Sequence, residues 1–222
     1  MFILDYAARP GPSYLSSMTF PFDQNICLEN SRTLLRPLQF SDAEGLLAAA
    51  LSDPDLMRYS TAPINSPSLL ENYISQSLEE KAQKIRYPFL IIDKASGQYA
   101  GCTSYASIAD ADERLEIGWT WIGLSFHRTG FNRNNKYLML RYAFEVLGAE
   151  RVELRTDERN MRSRTAILGL GATYEGTLRH YKIAYDGFRR NTVYYSILRD
   201  EWFGSVRARL EVYQNRTEAS IQ

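Results

Sequence analysis

The sequence has few of the residues that build disulfide or metal scaffolds. It contains two cysteines, Cys27 and Cys102, and two histidines among 222 residues. At most one disulfide can form, and a chain of this length needs none to bury a core, so we expect a reducing, cytoplasmic environment. No grouping of His, Cys and Asp has the spacing of metal ligands, which predicts that no metal is bound.

The sequence also lacks an excess of charge and long apolar runs. Lys plus Arg and Asp plus Glu each number 26, so the net charge is zero. Nucleic-acid binders normally carry a basic excess. No segment approaches the roughly 18 apolar residues of a membrane helix, and the apolar start at residues 1–4 is too short for a signal peptide. We therefore expect neither nucleic acid nor a membrane as a partner.

What is present is an ordinary globular composition, with 45% hydrophobic and 23% charged residues. Hydrophobic periodicity and turn residues predict strands at 32–36, 87–93, 99–108, 115–122, 152–156, 173–184 and 191–198. They predict helices at 41–51, 66–84, 162–170 and 201–213, and one more that follows a loop at Gly130 and ends at Leu147. Ser41 and Glu44 have the spacing of a capping box. This order predicts a single mixed α/β domain over residues 31–213, between an N-terminal tail or arm (1–30) and a C-terminal tail (214–222). Met1 and Met18 are both candidate start residues.

The segment from Glu116 to Asn132 is the strongest candidate for a binding site. A predicted strand leads into a short loop with Gly130, and a helix begins after it. Unpaired N–H groups at a helix N-terminus, a glycine that allows close approach and the charge of Arg128 together suit a pyrophosphate. An ordinary strand-to-helix turn is the alternative. A P-loop is excluded, because no Gly-Lys-Ser/Thr follows.

This segment resembles the acetyl-CoA motif of the GNAT acetyltransferases, V-x-P-x-x-R/Q-x-x-G-x-G/A. Ile122 stands at the Val position, Leu124 at Pro and Gly130 at the first Gly, whereas His127 and Asn132 depart from the consensus. The run R-T-G-F-N-R-N-N-K resembles the R-T-x-x-N-x-x-x-K of the ribosomal-protein N-acetyltransferase branch. The similarity covers roughly residues 32–210. It implies a mixed sheet that is splayed in its centre and flanked by helices.

The resemblance also implies a reaction and a set of cofactor contacts. Acetyl passes from acetyl-CoA to a primary amine, and pantetheine pairs with the strand backbone while loop amides hold the pyrophosphate. His127 is expected to donate to a phosphate or to cover the loop, and Asn160 to reach the cofactor. The residues expected on the cofactor are Trp121, Ile122, Gly123, His127, Arg128, Thr129, Gly130, Phe131, Asn132 and Asn160.

Two residues are candidates for proton transfer. Glu116, in an otherwise apolar strand, is the expected base that accepts the amine proton, directly or through water. Strand alternation predicts that Glu116 shares a face with Thr120 and Ile122; the alternative is a salt-bridged edge residue. Ser163 matches a position in the family that can supply a proton to the departing thiolate, and its alternative role is to cap the helix at 164–170.

The acceptor is less well defined by the sequence. A protein or peptide N-terminus is the first hypothesis, because acidic residues of segment 41–84 would attract a cationic amine, whereas basic residues of segment 174–192 would attract an anionic partner. The alternatives are an antibiotic, polyamine or amino acid as acceptor, and a non-catalytic module that binds acyl-CoA. Either a monomer or a homodimer is consistent with the sequence. The acidic group is Asp53, Asp55, Glu71, Glu79 and Glu80, and the basic group is Arg179, Lys182, Arg189 and Arg190.

Overall fold

The structure, a computed structural model, describes residues 18–219, with side chains described as far as residue 213. The tail expected over residues 1–17 lies outside these residues. Met18, Phe20 and Ile26 are buried in the core, so the described part of the N-terminal arm packs on the domain. The domain boundary at residue 31 stays a prediction.

Eight strands form one sheet in the order β1-β2-β3-β4-β5-β6-β8-β7. All neighbouring pairs are antiparallel except β5 and β6, which are parallel. The strands confirm the predicted ones to within a few residues and add the two-residue β1. They are β1 (Leu28–Glu29), β2 (Thr33–Pro37), β3 (Arg86–Asp93), β4 (Tyr99–Ala109), β5 (Arg114–Ile122), β6 (Arg151–Asp157), β7 (Thr173–Ile183) and β8 (Arg189–Leu198).

The helices cover both faces of the sheet. They are α1 (Ala43–Ala50), α2 (Pro67–Ala82), α3 (Phe131–Arg141), α4 (Met161–Leu170), the single turn α5 (Arg199–Glu201) and α6 (Arg207–Ala219). Both α3 and α5 continue into π-helical turns, at Tyr142–Val146 and Trp202–Val206. None of the helices within residues 18–219 is long and apolar enough to cross a membrane.

Two of the predicted helix starts differ from the structure. A 3₁₀ turn at Phe40–Asp42 precedes α1, and the Asp42 carboxylate accepts from the Gln39 N–H at 2.8 Å, so the capping box predicted for Ser41 and Glu44 is wrong. The structure starts α4 at Met161, and its cap is Asn160, whose Oδ1 accepts from the Ser163 N–H at 3.0 Å. The capping role considered for Ser163 is therefore wrong. By contrast, Ser66 caps α2 through the Leu69 N–H.

Apolar side chains form one cluster on each face of the sheet. Helices α1 and α2 bury one face against Leu90, Cys102 and Trp121. Helices α3, α4 and α6 bury the other, which includes Leu115 and Ile122 of β5. We call these the α2 face and the α3 face.

A β-bulge changes the direction of side chains along β5. Cys102 pairs with Trp121 but Ser104 pairs with Gly118, so β5 holds one extra residue at this point, where Trp119 has φ +50°. Leu115, Ile117 and Ile122 consequently all lie on the α3 face, whereas Trp121 lies on the α2 face. The uninterrupted alternation predicted for β5 is wrong: Glu116 is not on the face that carries Thr120 and Ile122.

Candidate active site

The sheet opens between β5 and β6. The two strands pair only over Arg114–Glu116 and Arg151–Glu153, and the rest of each strand has a neighbour on its other side alone. The carboxyl-terminal halves of β5 and β6 therefore border a gap, as the splayed sheet predicted. Glu116 is at its closed end, and the loop before α3 is at its open end.

The loop residues 123–130 turn the chain from β5 into α3. Gly130 is the N-cap of α3 with φ +79°, and Arg128 has φ +60°. The amides of the first helical turn have no partner within the helix and carry its positive dipole end. This geometry is the one that an anion cradle needs, and the binding role predicted for Arg128, Thr129, Gly130, Phe131 and Asn132 stays a prediction.

Arg32, which sequence reasoning missed, adds a charge to this cradle. Its Nη2 donates to the carbonyl of Thr129 at 3.0 Å, and its guanidinium lies over the Phe131 ring. Its Nη1 is buried without a partner, and it lies 3.7 Å from where a Cβ on Gly130 would be. Burial lowers the pKa of Arg32 from its ordinary value. A donor without a partner beside the open face of Gly130 fits a phosphate oxygen.

The backbone of β5 presents Ile122 to the gap. The Gly123 N–H donates to Ala100 of β4 at 2.8 Å, and peptide groups alternate in direction along a strand. Trp121 and Gly123 therefore direct their peptide groups at β4, while those of Ile122 face the gap. Of the three residues expected to pair with pantetheine, Ile122 has the accessible peptide groups, and Gly123 packs closely on Ala49 of α1.

His127 folds back onto that strand. Its Nε2 lies 2.9 Å from the Ile122 carbonyl, and its Nδ1 lies 3.2 Å from Nη1 of Arg162. An arginine can only donate and a carbonyl can only accept, so the proton is on Nε2 and Nδ1 accepts. His127 thus links the loop to the start of α4, next to the proposed pyrophosphate site.

Glu116 is buried on the α2 face, with 5% of its surface exposed. Its Oε2 accepts from Arg155 Nη2 at 2.7 Å and from the Ser107 hydroxyl at 2.9 Å. Burial raises the pKa of Glu116, and Arg155 and Ser107 offset part of this effect. The salt bridge considered in the sequence is present, yet the raised pKa is also what a base needs near neutral pH.

An open cleft of about 570 Å³ adjoins Glu116 on the same face. Arg155 lies between Glu116 and the cleft. Its Nη2 binds Glu116, while its Nη1 donates to the hydroxyls of Tyr181 and Tyr194 in the cleft wall at 3.2 and 3.0 Å. The cleft has charges of both signs and aromatic hydroxyls. Its lining residues are Ser107, Ile108, Ala109, Arg114, Glu153, Arg155, Tyr181 and Tyr194.

Comparison with known proteins identifies the family. A family model described as an acetyltransferase (GNAT) domain matches residues 32–173. The chain belongs to the GNAT acetyltransferase family. Like other GNAT proteins it is a transferase, the family's co-substrate is acetyl-CoA, and the resemblance seen in the sequence is confirmed.

Curated relatives and a solved structure agree with this GNAT assignment. The "Uncharacterized N-acetyltransferase p20" of Bacillus licheniformis is 28% identical over 80% of this chain and 98% of its own. The "Putative ribosomal N-acetyltransferase YdaF" of Bacillus subtilis is 26% identical over 80% of this chain and 97% of its own. The crystal structure of a GCN5-related N-acetyltransferase from Brucella melitensis has a TM-score of 0.78 at 25% identity and covers 86% of both chains.

The GNAT chain offers no evident metal centre among residues 18–219, where no group of three His, Cys, Asp or Glu side chains is arranged to hold an ion. Of the site residues that the sequence named, Ile122 and the loop residues border the gap, whereas Trp121 is buried against α1 and α2. Asn160 and Ser163 are at the start of α4, which Arg162 ties to His127. Their roles toward acetyl-CoA stay predictions.

Proposed function

We propose that this protein transfers acetyl from acetyl-CoA directly to the primary amine at a peptide N-terminus. The observation that carries the proposal is the position of Glu116. Its buried carboxylate closes a gap in the sheet whose other end is the helix N-terminus of the α3 loop. The gap between β5 and β6 therefore runs for half the length of a strand, with the proposed pyrophosphate loop at one end and the proposed base, Glu116, at the other.

The donor binds from the α3 loop inward. Loop amides and the guanidinium of Arg32 hold the pyrophosphate, and Arg128 adds charge at the entrance. The Ile122 peptide groups pair with pantetheine, which takes the place of His127 on the Ile122 carbonyl. His127 is then released to donate to a phosphate, as the sequence analysis expects.

The chemistry needs an uncharged amine, because an ammonium has no lone pair with which to attack the thioester. Glu116 accepts the amine proton, directly or through a water molecule. Arg155 and Ser107 fix the carboxylate in place. Ser163, at the start of α4, is the group that the family resemblance assigns to the sulfur side of the reaction.

The acceptor reaches Glu116 through the cleft on the α2 face. Arg155 and the hydroxyls of Tyr181 and Tyr194 are donors suited to the carbonyl oxygens of a peptide. An open cleft of about 570 Å³ accommodates an extended chain end as well as a free amine. The name of the YdaF relative supports a protein N-terminus as acceptor.

The test is an acetyl-CoA consumption assay over peptide N-termini, polyamines, amino acids and aminoglycosides, at equal concentrations. Selective turnover of peptides supports the proposal. Selective turnover of a small amine would show that the proposed acceptor is wrong and that the proposed acetyl transfer is right. Binding of acetyl-CoA without turnover of any amine would instead favour a non-catalytic acyl-CoA-binding module.

A further inference from the structure

Lys136 is a buried lysine that the mechanism above does not use. It lies in the middle of α3, only 6% of its surface is exposed, and burial alone lowers its pKa to about 7. Lysines that are this deeply buried normally pair with a carboxylate. Lys136 has none within salt-bridge distance in the described part of the chain; its ammonium donates to two threonine hydroxyls instead, Thr120 at 2.5 Å and Thr103 at 3.1 Å.

The two threonines form a closed network with this ammonium. Their hydroxyl oxygens lie 2.8 Å apart, and that of Thr120 lies 3.3 Å from the Gly118 carbonyl at the bulge. When Thr103 donates to Thr120, the Thr120 oxygen accepts from both Lys136 and Thr103. The hydroxyl proton of Thr120 is then directed at the Gly118 carbonyl, in a long hydrogen bond of 3.3 Å from which it can turn to another acceptor. Thr120 is half-buried, whereas Thr103 and Lys136 are buried, so Thr120 is the outward end of the network.

Thr120 lies on the stretch of β5 that borders the gap. Along this strand Thr120 lies between Ile122, which is beside the α3 loop, and Glu116, which is at the closed end of the gap. Because of the bulge, Thr120 projects on the α3 face and Glu116 on the α2 face. A thioester bound between them would have the Glu116 carboxylate on one side of the sheet. On the other side it would have the Thr120 hydroxyl, which is hydrogen-bonded to the Lys136 ammonium.

Few other charges face Lys136. On β4, the Tyr105 hydroxyl donates to the Met139 carbonyl at 2.6 Å, and Glu116 of β5 is on the opposite face with Arg155. The titratable groups at the α3–α6 contact bind one another: Tyr137 donates to Glu211, and Arg133 lies over the Tyr213 ring. The ammonium thus acts on its surroundings mainly through Thr120 and Thr103.

We propose that the Thr120 hydroxyl donates the proton that the departing thiolate of coenzyme A takes up, and that Lys136 replaces this proton on Thr120. This inference rests on the proposed function. Lys136 is a positioning residue in it, since it acts through Thr120, and Thr120 is the group that meets the sulfur. Glu116 therefore acts on the acceptor amine from the α2 face, and Thr120 acts on the leaving group from the α3 face.

The proton balance of the step is closed. The amine nitrogen forms a bond to the acetyl carbon and loses a proton to Glu116. The C–S bond breaks with both electrons on sulfur, which takes the Thr120 proton while Lys136 passes one of its own to the Thr120 oxygen. Lys136 regains a proton from solvent and Glu116 releases one, so only the amide and the thiol of coenzyme A remain. A lysine with a pKa near 7 can give its proton to a thiolate, whose thiol ordinarily has a pKa above 8.

The test compares kcat for wild type and Lys136→Met between pH 6 and pH 9. We expect Lys136→Met to reduce kcat about 10²-fold below pH 7, the scale of one assisted proton transfer. The ratio of wild type to variant should fall toward one as the pH rises, because wild-type Lys136 itself loses its proton. Lys136→Arg keeps a charge at every pH but does not give up a proton, so it should not restore kcat at any pH. Thr120→Val should reproduce Lys136→Met, and Thr120→Ser should recover kcat.

Two controls separate this role from general damage. Lys81→Met, on α2 over the Tyr87 ring, should leave kcat at the wild-type value. Acetyl-CoA affinity, measured by calorimetry, should not change in any variant at Lys136 or Thr120. A kcat ratio that does not depend on pH would overturn the inference, as would loss of the pH dependence in Ser163→Ala but not in Thr120→Val. A wild-type protein that binds no acetyl-CoA would instead overturn the proposed function and this role with it.

Discussion

At the scale of single residues, Glu116 and Lys136 illustrate how burial prepares ionisable groups for chemistry. Both are almost fully removed from water, and the pKa of each moves toward neutrality, up for the acid and down for the base. Their partners differ, since Glu116 has a cation and Lys136 has only hydroxyls. Two groups with converging pKa values on opposite faces of one strand are suited to accept and to donate a proton.

The first prediction concerns Glu116→Gln. The amide keeps the shape and a hydrogen bond from Ser107 but cannot accept the amine proton. We expect turnover to fall about 10²-fold or more while acetyl-CoA affinity stays the same, measured by steady-state kinetics and calorimetry. Wild-type turnover of the variant at every pH would eliminate Glu116 as the base.

The second prediction concerns stability and Lys136. In the folded protein its pKa is about 7, below the ordinary value of 10.5, so the unfolded chain binds more protons between these two pH values. The stability of wild type should therefore rise with pH through this window, and below pH 7 the full cost of burying the charge is present. Lys136→Met should be more stable than wild type at pH 7, by roughly 4 kcal/mol, and the difference should shrink toward pH 10.

Urea unfolding at several pH values measures this effect. Lys84→Met, a change at an exposed lysine, is the matched control and should give a curve parallel to that of wild type. A stability difference between wild type and Lys136→Met that is constant from pH 7 to pH 10 would contradict the burial of the charge.

At the scale of elements, the α3 loop is the part of the site that the sequence described best. Its glycine, its place between a strand and a helix, and its resemblance to a family motif are all local features. The contacts made to it from afar were not predictable, since Arg32 reaches Thr129 across 97 residues. Local patterns specify the loop, but the tertiary fold selects the side chains that surround it.

The third prediction tests this loop. Gly130→Asp places a side chain at a residue with φ +79°, next to Arg32 Nη1, and adds a negative charge to the pyrophosphate site. Calorimetry should show loss of acetyl-CoA binding, while the far-UV spectrum is retained. Gly187→Asp in the β7–β8 turn has a similar φ of +84° and open space around it, and this control should bind as wild type does. Unchanged affinity in Gly130→Asp would rule out the assignment of the loop.

Strand β5 shows where prediction from sequence ends. Its span and its apolar character follow from residues 115–122, but nothing in them signals the bulge, because Trp119 adopts a positive φ that glycine usually supplies. The bulge reverses which residues face α3, and so the predicted face of Thr120 relative to Glu116 was wrong. Lys136 could have been flagged as a lysine within the buried positions of an amphipathic helix, although its threonine partners come from the fold.

At the scale of the whole molecule, the two segments considered for the acceptor come together although they are far apart in sequence. The loop between α1 and α2 meets the β7–β8 hairpin, where Tyr185 N–H donates to Ser60 and Arg190 donates to Tyr59. The acidic and basic segments considered in the sequence are therefore neighbours. Some of these charges are paired, since Glu80 binds Arg86 and Asp55 lies near Arg58.

The fourth prediction concerns the walls of the open cleft beside Glu116. Tyr194→Phe removes a hydroxyl that Arg155 uses and that a peptide carbonyl can meet. We expect KM for a peptide acceptor to rise several-fold, with acetyl-CoA affinity unchanged. Tyr213→Phe on α6 is the control and should have no effect on KM. A rise in Kd for acetyl-CoA in Tyr194→Phe would show that the cleft belongs to the donor instead.

The three-residue pairing of β5 with β6 also has a mechanical consequence. It is the hydrogen-bonded link between β1–β5 and β6–β8, yet apolar side chains of both strands, such as Leu115 and Val152, join one continuous core across it. Hydrogen bonds are directional, whereas apolar contact tolerates a small rotation. A small change in the angle between the two parts therefore strains few directional bonds at this seam, fewer than in a sheet whose strands pair along their whole length.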